Sequence, residues 1–181
     1  AASDVYKRQD PNDPASFVFF TDNAAQGRTV GLEADLRWHP NDSLEIYANL
    51  GLLNAEFDEF FTPQVSIDDR DQAHAPNSTA AFGGVYRHAS GAFARLDFTA
   101  KDDFYFDVSH DQKSQSYSVT NARVGYATES WTVQLWLRNA FDEHYAVRGF
   151  FFGNEPPNFP PALFIRQGDP RQVGVTFDRR F

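Results

Sequence analysis

From Thr29 to Trp38 apolar and polar residues alternate without a break. Val30, Leu32, Ala34, Leu36 and Trp38 fall on one side, and Thr29, Gly31, Glu33, Asp35 and Arg37 on the other. A period of two separates these sets cleanly on a β-strand, whereas a helix would mix them. The pattern recurs in segments of about ten residues and predicts eight strands. They run over Ser16–Asp22, Thr29–Trp38, Ser43–Glu56, Ser78–His88, Ala92–Asp107, Ser114–Ala127, Trp131–Val147 and Pro170–Phe181. No stretch carries a helical period of useful length, and Gly83, Gly84 and Gly125 are candidate bulge positions.

The segments between these strands alternate in length. His39–Asp42, Ala89–Gly91 and Thr128–Ser130 are tight turns, while Asn23–Arg28, Phe57–Asn77, Val108–Lys113 and Arg148–Asp169 are mostly longer. One end of the sheet therefore carries short turns and the other carries loops. A transmembrane β-barrel sorts its connections this way, and a Greek-key sandwich has no reason to. With Phe181 ending on the short-turn side, Trp38, Tyr86, Tyr126, Trp131 and Phe181 fall together at that end. Phe60, Phe61, Phe104, Tyr105, Phe106, Tyr145 and Phe150 to Phe152 fall at the other. Each set is a candidate aromatic girdle at a membrane–water interface. The competing reading is an antiparallel sheet in water with one buried face. The charges on the polar face argue against it, because a water-filled or plugged lumen accepts them easily.

Composition sharpens this picture. The chain has 181 residues with a formal net charge of −9, and 16% are aromatic. Its mean hydropathy of −0.52 suits no helical membrane span, and its aromatic content suits no disordered chain. The acidic balance argues against a nucleic-acid partner. Absence of cysteine excludes a disulfide frame and a thiolate metal site. A wall that shows lipid only every second residue is polar on average and aromatic at its rims.

Catalytic and metal motifs are missing. Neither G-x-S-x-G nor H-E-x-x-H occurs. His39, His74, His88, His110 and His144 lie in or near turns and loops. The Phe57–Asn77 loop carries Asp58, Glu59, Asp68, Asp69 and Asp71 against Arg70, but without calcium-loop spacing, so it reads as a solvated acidic loop. The reading is therefore of a non-enzyme with no cofactor and no metal site.

The last strand, GDPRQVGVTFDRRF, places Val173, Val175, Phe177 and Phe181 on one face. With TVGLEADLRWHPNDSLEIYANLGLLNAEF, HAPNSTAAFGGVY and SYSVTNARVGYATESWTVQLWLRNAFDEHY, it resembles the C-terminal part of TonB-dependent outer-membrane receptors in order and spacing. The resemblance implies an all-β antiparallel transmembrane barrel of about 22 strands closed by a plug, of which these would be the last eight. It implies residence in the Gram-negative outer membrane and TonB-energised uptake of a scarce nutrient such as a ferric siderophore. Implied partners are TonB through the absent plug, the barrel-assembly machinery through Gly174, Phe177 and Phe181, and outer-membrane lipid and lipopolysaccharide. Arg179 departs from the family's terminal pattern, which prefers an apolar residue there. The chain is thus read as a fragment with residues 10–181 as barrel; residues 1–9, AASDVYKRQ, fit no strand or turn pattern and read as an adapter-like, non-native head, against a genuine loop segment. A complete eight-stranded barrel with a structural or adhesive role is the alternative.

Two further groups of candidates follow. The proline-rich stretch RGFFFGNEPPNFPPALFIRQGDPR offers Arg148, Phe150, Phe151, Phe152, Asn154, Glu155, Phe159 and Arg166 as ligand contacts, against a loop packed only on itself. Glu33, Asp35, Arg37, Glu45, Asn49, Arg95, Asp97, Asn121, Arg123, Gln134 and Arg138 are expected to line the lumen. Asn139, Asp142 and Tyr145 read as a packing motif at a strand end.

Overall fold

The computed structural model describes residues 3–10, 13–23, 26–58, 69–108 and 110–180, with side chains from Gln26 onward. Among the described residues there are eleven strands: β1 (Ser3–Asp10), β2 (Asp13–Asn23), β3 (Gly27–Asn41), β4 (Leu44–Phe57), β5 (Ser78–Arg87), β6 (Ala92–Lys101), β7 (Tyr117–Ala127), β8 (Trp131–Arg138), β9 (Ala146–Gly153), β10 (Pro161–Gln167) and β11 (Gln172–Arg179). Seven of them form one antiparallel sheet in the order β11-β8-β7-β6-β5-β4-β3, while β1-β2 and β9-β10 form separate hairpins.

The register explains why the alternation along the chain is so regular. Leu32 pairs with Leu52, and Trp38 with Ile46. Phe82 pairs with both Ala48 and Phe98, and Val124 with both Ala94 and Leu135. Val175 then pairs with Leu135. The apolar sets of all seven strands therefore meet edge to edge on one face. These side chains stay exposed: Leu32 at 62%, Leu96 at 54% and Val175 at 69%. A continuous exposed apolar sheet of this extent is what a lipid-facing wall requires. The polar sets meet on the opposite face, as in Arg37↔Tyr47↔Gly83↔Asp97↔Asn121.

Short connections follow β3, β5 and β7, each closed by local bonds. The Asn41 side-chain oxygen accepts from the Ser43 amide at 2.9 Å. Gly91, at φ 99°, donates to His88 and lets β6 return. Thr128 Oγ1 accepts from the Trp131 amide at 3.0 Å. Burial instead concentrates at the long-loop end, where Ala55, Phe57, Phe104 and Phe106 are all buried.

Three expectations change. Ser3–Asp10 forms a strand paired with β2, although its mixed pattern shows no alternation. The predicted Trp131–Val147 strand stops at Arg138, because Asn139 and Asp142 adopt φ of 46° and 56° and turn the chain. The predicted loop Arg148–Asp169 is largely the hairpin β9-β10. Its Phe150–Phe152 run is apolar on both faces and so lacks a period of two.

Candidate functional site

At the long-loop end the chain after residue 68 returns along the upper part of β4. The Phe57 amide donates to Arg70 O at 3.0 Å, Gln72 N to Ala55 O at 2.7 Å, and Leu53 N to Asn77 O at 2.9 Å. The next loop, between β6 and β7, folds as a ribbon in which Ser114 N donates to Phe104 O at 2.9 Å and Phe106 N to Gln112 O at 3.1 Å. His74 N donates to Tyr105 O at 2.9 Å and joins the two loops.

Arg70 is the centre of that junction. Its side chain is only 8% exposed. One terminal nitrogen donates to Asp111 at 2.8 Å, and the other donates to the carbonyls of Asp107 and His110, both at 2.6 Å. Tyr105 lies under the guanidinium with 3.9 Å to its ring centroid. In the fold Arg70 reaches past the acidic residues beside it in sequence and into the following loop. Glu59, Asp68, Phe60 and Phe61 lie outside the described residues. Among the described residues no three His, Asp or Glu side chains are placed to hold a metal ion.

Phe104 and Phe106 belong to this cluster and are 2% and 3% exposed, so they are loop core and not an interface girdle. Their rings meet edge-on with centroids 5.8 Å apart, and Lys101 lies 4.4 Å from the Phe104 ring centroid. Phe106 also covers Gly149 of β9, where a Cβ would collide with its ring. This contact seats the β9-β10 hairpin on the loop, and the His110 and Phe151 rings meet 5.2 Å apart beside it.

The hairpin brings most of the predicted ligand-contact residues together. Phe150, Phe151, Phe152 and Phe159 are 46%, 37%, 43% and 56% exposed. Phe152 packs against Phe164 at 5.1 Å, and Arg148 lies over Phe150 at 4.7 Å. Arg148 and Arg166 stand directly opposite one another across the two strands. Asn154 and Glu155 are exposed at the turn, where Glu155 O accepts from Phe159 N at 2.9 Å.

Asn139 holds the feet of this hairpin. It is 3% exposed; its side-chain nitrogen donates to Glu143 O at 2.9 Å and Asp169 O at 3.0 Å, and its side-chain oxygen accepts from Glu143 N at 2.8 Å. Asp142 accepts from Arg171 N at 2.8 Å. Tyr145 stacks on Tyr117 at 4.4 Å.

On the polar face of the wall, Arg95 grips Asp97 through Nε at 2.8 and 3.0 Å and through Nη2 at 2.6 Å, and Tyr47 donates to the same carboxylate. Glu45 lies between Arg37 at 3.7 Å and Arg87 at 3.6 Å. Asn49 donates to Asp35. Asn121, Arg123, Gln134 and Arg138 share this face with Trp136, whose Nε1 donates to Thr176 at 3.1 Å. Trp136 lies across Gly174, which leaves no room for a Cβ there. Trp38, Tyr86, Tyr126 and Trp131 stand at the short-turn ends of their strands. Tyr126 and Trp131 meet at 5.8 Å, and Trp131 and Phe177 at 6.4 Å. Phe181 lies outside the described residues.

The family model described as TonB dependent receptor-like, beta-barrel, matches residues 3–140. This chain belongs to the TonB-dependent receptor family. Solved receptors share its fold at low sequence identity. The ferric yersiniabactin uptake receptor FyuA from Yersinia pestis is 20% identical with a TM-score of 0.71, covering 87% of this chain and 24% of FyuA. The siderophore receptor PiuA from Acinetobacter baumannii is 17% identical with a TM-score of 0.69, covering 94% of this chain and 23% of PiuA. The ferric-catecholate import receptor Fiu from K12 E. coli is 14% identical with a TM-score of 0.67, covering 97% and 23%. The chain thus spans about a quarter of the length of these receptors. It is wall and loops of a TonB-dependent receptor barrel of the Gram-negative outer membrane, and its sheet is not closed among the described residues.

Proposed function

We propose that this chain is the C-terminal part of a receptor that takes up a ferric siderophore or a similar scarce nutrient, energised by TonB acting on a plug. The observation that carries this reading is the family match over residues 3–140, on a sheet with one apolar and one polar face. In it residues 10–181 are barrel. The polar face lines the lumen. Trp38, Tyr86, Tyr126, Trp131 and Phe181 mark the lower membrane interface, in contact with outer-membrane lipid. Long loops face outward beside lipopolysaccharide. Gly174, Phe177 and Phe181 present the last strand to the assembly machinery.

The β9-β10 hairpin is the ligand-contact element in this reading. Like charges opposed across two strands repel, and Arg148 faces Arg166 in that way. An anionic ligand would relieve the repulsion, while Phe150, Phe152 and Phe159 supply flat apolar surface; Phe151, Asn154 and Glu155 complete the contact set. Deleting Gly153–Leu163 from the full-length receptor is expected to reduce uptake of its ligand, measured as radiolabelled iron-chelate accumulation across a siderophore panel. Membrane insertion, read as heat-modifiable gel migration, should persist. Normal uptake by an inserted deletion variant would sink the hairpin assignment.

A further inference from the structure

Two histidines sit where three outward segments converge, and neither has a part in the reading above. His110 is in the β6–β7 loop. Its carbonyl accepts from Arg70 of the preceding loop at 2.6 Å, and its ring meets Phe151 of the β9-β10 hairpin at 5.2 Å. Its Nδ1 accepts from the Gln112 amide at 3.2 Å, which requires that nitrogen to be unprotonated. His74 belongs to the preceding loop. Its amide donates to Tyr105 O, and its ring lies 5.4 Å from Phe104.

We propose that His74 and His110 form a pH-sensitive clasp: in their neutral state the two loops and the hairpin stay joined, and acidification releases them. Protonating His110 would end its acceptance from Gln112 and set a second cation beside the buried Arg70 guanidinium. Protonating His74 would add a cation to a corner already holding Lys101 and Arg148.

Charges face these rings from every packed element. Around His110 they are Asp107 and Asp111 of its own loop and Arg70 of the preceding one. Around His74 they are Arg148 of β9, Lys101 of β6 and Asp107. Lys113 is paired with Asp103 at 3.4 Å within the same ribbon. Desolvation, first, and the neighbouring cations hold both imidazoles below their ordinary value of 6.5; Asp107 and the Phe106 backbone bond at His74, and Asp107 and Asp111 at His110, only partly oppose this. The released form, with exposed rings, therefore binds protons more readily than the clasped form. Clasp stability is complete above about pH 6.5 and falls as pH drops through the lower value of the clasped state.

The test uses the full-length receptor in outer-membrane vesicles, with spin labels on Ala73→Cys and Gln115→Cys; this chain supplies no other cysteine. Pulsed dipolar spectroscopy between about pH 7.5 and about pH 5 spans the imidazole range. The label separation is expected to be single and short at the higher pH, and longer and broader at the lower. The double variant His74→Gln, His110→Gln should keep the short separation at both. His88→Gln, in a short turn at the opposite end, should leave the pH response unchanged. No change of separation with pH in the parent would overturn the clasp, and so would the full acid response surviving in the double variant. The readout is a distance, so it stands apart from whether the receptor carries an iron chelate.

Discussion

In the seven-stranded wall the strands are held by backbone ladders, and the apolar side chains stay outside, with Leu32, Leu96 and Val175 more than half exposed. At the outer end the arrangement reverses. Phe104 and Phe106 are buried, backbone bonds join short irregular segments instead of one continuous sheet, and side chains such as Arg70 and Asn139 reach across long stretches of chain to close the structure. The wall leaves its apolar surface to the bilayer, whereas the loops project into water and must bury their own. Hydrophobic burial is consequently concentrated at the loop end, and a change in either region should leave the other standing.

The largest break is expected in the wall. Leu96→Arg places a charge on the lipid face midway along β6, and an arginine there costs ~2–4 kcal/mol at the bilayer midplane. The full-length variant should show impaired insertion by heat-modifiable migration, with loop defects only as a consequence. Arg70→Ala should do the converse. Losing charge-assisted bonds of ~1.5–3 kcal/mol each from a nearly buried guanidinium should open the loops to added protease, while the barrel keeps its migration and melting temperature. A fall in barrel melting temperature equal to that of Leu96→Arg would refute the separation. The smallest effect is expected at Arg37→Ala. Its contact with Glu45 is 3.7 Å long and the Arg37 side chain is 74% exposed, so the loss should be within ~1 kcal/mol by urea unfolding in detergent micelles.

The same contrast decides what could be read along the chain. Strand pattern is local: each residue of β3 announces its face through its neighbours at i±2, and the register then joins faces that are already sorted. The polar-face set from Glu33 to Arg138 is legible for that reason. The Arg70–Asp111 pair spans 41 residues, and no spacing rule connects them. The β9-β10 hairpin was hidden because Phe150–Phe152 is apolar on both faces, and the buried state of Phe104 and Phe106 because an aromatic cluster near a strand end looks alike as girdle or as loop core. Asn139 was recognised as a packing residue, but its bond to Asp169 O, 30 residues away, could only come from the fold.

That bond has a meaning for how such a receptor could change. Asn139 and Asp142 tie the top of β8 to the approach of β11, so the frame closes beneath the hairpin before the hairpin begins. Ala146 to Gln167 is then a module on a fixed socket. Apart from Gly149, where Phe106 leaves no room for a side chain, its length and residues are open to exchange between receptors, or to replacement with a displayed peptide, and the wall below is expected to keep its register.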